Sequence, residues 1–442
     1  MIYKSKLTET VKYEVAATNI SPVSVKDGED NIKIDELTGK AYIPGTSIAG
    51  AFRDFYEKNI DRNSDENNNV LFGGKKTGMS SVVFYDAYFT DATQKEVISS
   101  RPGLKIDRER LTGKIFSGSK KSGSKFKRQF LNEGINFIFT FELNNYEASP
   151  EFDKMQKDFE ELLKAFLHGE IPLGNNKMIG FGRFKGEKVL KKVVNFESME
   201  GILSYLLKED GKTTDITEKI MGEEYISPKV QFKVKAKTLT PLLIKDEVVR
   251  LSDKPDGINI KNAKGNEIIP GSSIKGALRT RAEKISKTFP QINEEIISNI
   301  FGIESKKDEG RISRFNCFDV ELKHVKRGVY NKIKVDHFSG GVEQGALVKE
   351  ETVMGDLELI CTLDKSELGD YTKEVGLILL VLRDLCIGNL NVGSGYAVGR
   401  GFVKAETLEI IDNEKLLYYF DSPDKEVEQK FNRYISELMK QG

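Results

Sequence analysis

The chain contains one segment twice. Asp30–Arg53 (DNIKIDELTGKAYIPGTSIAGAFR) and Asp256–Arg279 (DGINIKNAKGNEIIPGSSIKGALR) align at a constant offset of 226 residues, with 12 of 24 positions identical. Composition alone would give roughly one or two matches. The likeness continues on both sides. Val11–Pro22 matches Val230–Pro241, Phe72-Gly73 matches Phe301-Gly302, and Ile106-Asp107 matches Val335-Asp336. Near the end of each copy, Gly174, Gly180 and Gly182 match Gly393, Gly399 and Gly401. Motifs kept in order on both sides of one chain mean a tandem duplication. The expected organisation is a first domain over 1–195, a polar, partly helical connector over 196–228 and a second domain over 229–442. A chain of 442 residues is long enough for two such cores.

Bulk properties narrow the class without choosing within it. Hydrophobic residues make up 38% and charged residues 31%, with 68 basic against 68 acidic side chains. A balanced total neither favours nor excludes nucleic acid, because a binding groove needs local positive charge. Cys317, Cys361 and Cys386 show no C-x-x-C spacing, which argues against a disulfide framework or a structural zinc site. They read as buried small hydrophobes. The start MIYKSKLTET has no apolar stretch of a signal peptide, and the longest apolar run, Val375–Leu382, is far short of a membrane span. A cytoplasmic protein without membrane contact is the expectation.

Each copy opens on a strand of period two: Val11, Tyr13, Val15 and Ala17, then Val230, Phe232, Val234 and Ala236. A polar loop follows, then a short strand entering Pro-Gly, then a helix. Ser47 and Ser273 sit where an N-cap belongs, and Ile274, Ala277, Leu278, Ala282 and Ile285 recur at helical spacing behind Ser273. Later come a strand (137–143; 357–363) and a second helix. In the first copy that helix carries Phe152, Met155, Phe159, Leu162 and Phe166 on one face. Its counterpart EVGLILLVLRDL is apolar on more than one face, which predicts deeper burial. A glycine-rich segment and a final strand close each copy. The fold class is α+β: two tandem ferredoxin-like (RRM-like) domains of β-α-β-β-α-β order, with large inserted loops.

The motif [Y/I]-I-P-G-[S/T]-S-I-x-G-A-[F/L]-R, preceded by a strand and a loop and followed by a distant glycine-rich loop, resembles the RAMP superfamily of CRISPR-associated proteins. More narrowly it is similar to the repeated backbone subunit of type III effector complexes. Leu104–Lys114 (LKIDRERLTGK) and Val335–Asp356 also resemble that family's thumb-region motifs. The resemblance covers nearly the whole chain. It implies a protein that grips a CRISPR RNA guide across its sheet and glycine-rich loops, inserts β-hairpin thumbs, and works with other type III effector subunits. It further implies that an aspartate in the loop before I-P-G cuts complementary target RNA with Mg2+ or another divalent metal.

Several residues carry this expectation, each with a plainer alternative. In Gly174–Arg183 and Gly393–Gly401, glycines at 180, 182, 393, 395, 399 and 401 let backbone amides approach phosphates, while Lys177, Arg183 and Arg400 add charge. An ordinary helix-to-strand turn would use the same glycines. At the I-P-G helices, a helix N-terminus with Ser47 or Ser273 suits a phosphate, and Arg53, Lys275 and Arg279 favour RNA. Arg53–Glu57 and Arg279–Glu283 could equally be surface ion pairs. Ala49 stands in the first copy where Lys275 stands in the second. Asp30 and Asp256 lie 15 residues before Gly45 and Gly271 and are the candidate catalytic and metal-binding carboxylates, with Asp27, Asp246 and Asp253 as reserves. Solvated loop aspartates are common, so spacing alone does not decide.

The segment Gly113–Arg128 is basic, and Lys114, Lys125, Lys127 and Arg128 would neutralise phosphates while Phe116 or Phe126 stacks on a base. The second copy's equivalent is nearly neutral, so the two thumbs should grip differently. His337 replaces Arg108 and is a candidate RNA contact, whereas His168 matches Ile387 and is expected to pack. No histidine spacing suggests a metal site or a triad. Two alternatives to the cutting backbone subunit remain from the sequence: a purely structural RNA-binding scaffold, and a guide-processing endoribonuclease.

Overall fold

A computed structural model describes residues 6–27, 32–62, 69–76, 78–89, 97–107, 112–113, 125–147, 149–207, 213–222, 225–246, 255–303, 310–343, 347–412 and 414–440. The chain forms two compact units. One comprises Met1–Ser99, Gln129–Lys177 and Phe181–Ser227; the other comprises Ser100–Arg128, Met178–Gly180 and Pro228–Gly442.

The first unit is built on β1 (Leu7–Asn19), α1 (Gly45–Asn59), β2 (Val82–Phe84), β3 (Ala87–Phe89), β4 (Asn136–Tyr146), α2 (Phe152–Leu167) and β5 (Phe184–Asn195). Strand β1 lies between β5 and β4, antiparallel to both, and β2 and β3 pair with β4. The period-two pattern fixes the register: Val11, Tyr13, Val15 and Ala17 stand opposite Leu143, Phe141, Phe139 and Phe137, all buried. Helices α1 and α2 cover that face with Phe52, Phe159 and Phe166, whose rings meet Phe84, Phe139 and Phe141 at 5.0–6.3 Å between centroids. The core of this half is aromatic. The stretch after β5 is structured too. Its helices Met199–Leu206 and Thr217–Met221 flank a strand, Thr213–Asp215, that extends the sheet beside β5.

The second unit repeats the order with β6 (Lys229–Thr238), α3 (Gly271–Thr288), α4 (Glu294–Phe301), β7 (Phe315–Cys317), β8 (Lys323–Lys332), β9 (Val348–Asp364), α5 (Thr372–Cys386), β10 (Val403–Asp412), β11 (Glu414–Tyr419) and α6 (Lys425–Met439). Its sheet runs β7-β9-β6-β10-β11, antiparallel throughout. Here the core is mostly aliphatic, with Cys317 and Cys361 facing each other across the sheet. Helix α5 is apolar on more than one face because it packs against β10 on one side and α6 on the other; a Cβ on Gly376 would sit 2.5 Å from the Tyr434 carbonyl.

Both halves are therefore mixed α+β with antiparallel sheets, in the repeated order the duplication predicts. Smaller features repeat as well. Gly73 and Gly302 share a left-handed φ of 76° and 75°. In the two hairpins, Ile106 pairs with Gly113 and Val335 with Val342. No helix among the described residues is long and apolar enough to cross a membrane.

Candidate nucleic-acid interface

The I-P-G turn starts α1 at Gly45 and α3 at Gly271, so the N-caps are Pro44 and Pro270, neither with a side-chain cap. This corrects the expectation for Ser47 and Ser273. Both serines lie inside the first turn, and their amides donate to the Pro44 and Pro270 carbonyls at 2.9 Å. Helix starts leave amides unpaired, and a proline cap has no hydroxyl to offer. Distant carboxylates supply the partner: Asp86 Oδ1 accepts from the Gly45 amide at 2.7 Å and Asp319 Oδ1 from the Gly271 amide at 2.9 Å. Glycine is needed there for space, since a Cβ would meet the Phe84 or Cys317 carbonyl at 2.2 or 2.1 Å. Asp319 also pairs with Arg101.

The cations on these helices have protein partners. Arg53 pairs with Glu57 at 2.8 Å and Arg279 with Glu283 at 3.0 Å, the one-turn ion pairs that the sequence left open. Arg279 also donates to the Phe301 carbonyl. Lys275 is turned inward, donating to the Met178 carbonyl at 2.9 Å and Ser313 Oγ at 2.7 Å. Burial lowers its ammonium from 10.5 to about 8.

The glycine-rich segments are tightly folded turns. Gly182 and Gly401 hold left-handed φ of 83° and 80°, and a Cβ on either would lie 2.0 Å from the Leu173 or Val392 carbonyl. Gly174 and Gly393 are likewise wedged against the Ser24 and Leu243 carbonyls. These four are demanded by the fold itself. Gly180 packs on Phe318, whereas Gly399 is left-handed with open space around it. Gly395 caps the short turn Tyr396–Val398, whose Tyr396 and Val398 are exposed. Burial lowers both Arg183, which Glu170 partly offsets, and Lys177, which Asp54 partly offsets.

Asp30 lies outside the described residues, as do Lys114, Arg108 and Asp253. Asp256 is exposed, on a loop fastened to β9. Its Oδ2 accepts the Lys349 amide at 2.8 Å, Gly257 N–H donates to the Lys349 carbonyl at 3.2 Å, and Glu351 N–H donates to the Gly257 carbonyl at 2.8 Å. The adjoining Glu350 is buried and accepts three cations: Lys245 at 2.7 Å, Lys332 at 2.6 Å and Arg400 at 2.6 Å. Burial would raise its carboxyl, but these bonds outweigh it and pull the pKa down to about 2. Arg400 also lies over the Tyr330 ring at 5.1 Å.

In the first hairpin, Lys125 and Lys127 are exposed, and Arg128 stacks over Phe126 at 4.5 Å. Burial lowers Arg128. In the second, His337 and Phe338 stand exposed on a turn whose Asp336 Oδ1 accepts the Phe338 and Ser339 amides. His168 packs, as expected, stacked on Tyr225 at 4.7 Å with Nδ1 bonded to the Lys164 carbonyl.

A family model described as RAMP superfamily matches residues 17–185 and 235–404, one segment in each half. The chain belongs to the RAMP superfamily. A sequence search of curated proteins gives no match. Membership in the RAMP superfamily, twice over, implies a CRISPR-associated RNA-binding role.

Within this RAMP protein, no group of three or more His, Cys, Asp or Glu is placed to hold a metal among the described residues. Asp256 alone fits only a magnesium-type ion that takes its remaining ligands from phosphate and water. Sequence reasoning missed Asp86, Asp319 and Glu350. No local signal marks the first two, which act on helix starts 41 and 48 residues earlier in the chain. Nothing in VKEETV distinguishes Glu350 from its acidic neighbour.

Proposed function

We propose that this RAMP protein is a backbone subunit of a type III CRISPR effector, binding the guide RNA along both halves and cutting complementary RNA. One observation carries the cutting: the exposed Asp256 carboxylate sits on a loop held in register with β9 by three hydrogen bonds. A carboxylate on a loop fastened to a strand can position a 2′-hydroxyl for in-line attack on the adjoining phosphate, or accept its proton. A divalent ion, when bound, would supply charge neutralisation at that phosphate. Asp30 takes the same role in the first half by the repeat. Cytoplasmic partner subunits of the effector complete the reading.

The test is to incubate the assembled protein and a guide RNA with labelled complementary RNA and magnesium, with and without EDTA. Wild type is compared with Asp30→Ala, Asp256→Ala and the double variant. Each single variant should lose one distinct cut with binding intact. No cutting by wild type, or unchanged cutting by the double variant, sinks the catalytic claim.

A scaffold that binds without cutting is the second reading. It is favoured by the absence, among the described residues, of any group of three or more His, Cys, Asp or Glu placed to hold a metal.

A further inference from the structure

Glu350 draws together three chain segments that the duplication places far apart: the loop after β6 through Lys245, the end of hairpin strand β8 through Lys332, and the glycine-rich turn through Arg400. One buried carboxylate with three cations leaves an excess of two positive charges. Asp256, fastened to the residue next to Glu350, lowers that excess to one. The carboxylate and Arg400 are buried, while the Lys245 and Lys332 side chains remain 48% and 41% exposed. An ammonium has three N–H donors, and the bond to Glu350 uses one of them on each lysine. Two ammonium groups are thus anchored from behind and open to solvent in front.

We infer that Lys245, Lys332 and Arg400, gathered by Glu350, form a binding site for one RNA phosphate beside Asp256, and that this site belongs to the second half alone. The first half has Phe181 at the place of Arg400, 219 residues earlier, and Phe181 packs its ring on Phe130 at 5.5 Å. An aromatic pair there cannot collect lysines. Glu350 is a positioning residue: it touches no RNA, and it fixes where the cations stand. Such a site sets the register of the strand that passes Asp256, which a diffuse basic surface would not do. The inference rests on the RNA-binding reading and adds to it the residues that hold a particular phosphate.

The test uses the full chain and a fluorescein-labelled single-stranded RNA of about 20 nucleotides, with anisotropy titrations from 50 to 200 mM KCl. Each phosphate contact on a single strand contributes about 0.7 to the slope of log affinity against log salt. Lys245→Ala/Lys332→Ala should therefore flatten the slope by about 0.7, so that it loses about 2.6-fold less affinity than wild type across that range. Lys430→Ala, at a surface lysine paired with Glu414, should leave the slope unchanged. An unaltered slope in the double variant, or an equal change in Lys430→Ala, overturns the site while leaving RNA binding intact. No binding by wild type at 50 mM KCl overturns the RNA reading and the site together. Glu350→Gln keeps the shape and removes the charge. If Glu350 positions the cations, the slope falls although the protein becomes more positive; a steeper slope overturns that role. Thermal melting confirms that each variant is folded.

Discussion

The Oδ1 of Asp86 accepts a hydrogen bond from the amide of Gly45 at 2.7 Å, across 41 residues of chain. Asp319 repeats the arrangement at Gly271, so both I-P-G helices begin against a carboxylate from the turn before the next strand. That carboxylate also meets the positive end of the helix dipole. Asp86→Ala is expected to lower unfolding stability by about 1–2 kcal/mol in urea denaturation, as loss of a helix cap does, and Asp86→Asn should recover part of it. Asp319→Ala should cost more, because it also removes an ion pair with the mostly buried Arg101. Equal stability of Asp319→Ala and wild type would remove the carboxylate cap from the account.

The glycine-rich segments separate fold from grip. Gly182→Ala and Gly401→Ala would place a Cβ 2.0 Å from a backbone carbonyl at left-handed φ, and both should unfold the half they sit in or cut its melting temperature sharply. Gly399→Ala meets open space and has only its φ of 73° to resist, an expected cost of about 1 kcal/mol. Melting of the three variants in parallel checks the ranking. A Gly399 variant as unstable as Gly401→Ala would contradict the packing described.

What the sequence made legible was whatever depends on neighbours along the chain. The duplication, the period-two faces of β1 and β6, the stripe Phe152–Phe166 and the doubly apolar α5 all rest on local spacing. The caps were illegible because Asp86 and Asp319 act on helices 41 and 48 residues away. Ser47 and Ser273 drew the cap assignment because Ser after Pro-Gly fits the usual pattern, yet proline's fixed φ starts the helix three residues sooner. Glu350 was illegible for a similar reason. Its three partners lie 105, 18 and 50 residues away in the chain, and only the fold brings them to one carboxylate. Lys275 reads as a surface cation at sequence level, and the packing around α3 turns it inside.

Glu350 also predicts an acid response. Its folded pKa of about 2 lies below the unfolded value of 4.5, so its stabilisation is full above 4.5 and is lost as pH falls toward 2. Wild type should therefore lose melting temperature between pH 5 and 2.5 more steeply than Glu350→Gln. Thermal melts at half-unit pH steps measure the difference, and parallel curves would mean that the three cations do not stabilise the carboxylate.

Lys275 gives the opposite sign. Its ammonium is buried and its folded pKa of about 8 lies below the unfolded 10.5, so the folded chain sheds this proton first. Between pH 8 and 10.5 the unfolded state holds more protons there, and stability rises with pH; below 8 the burial penalty is constant. Lys275→Met keeps the stem and removes the charge. Ser313 Oγ keeps its place by the Ile300 and Phe315 carbonyls, so the main loss is one bond to the Met178 carbonyl. The variant should melt above wild type at pH 7, and the gap should close as pH approaches 10.5. Tyrosine ionisation affects both proteins alike and drops out of the difference. A gap that stays constant with pH would mean that Lys275 is not a destabilising buried charge. Unchanged RNA affinity in the same variant would assign this lysine to the fold rather than to the RNA.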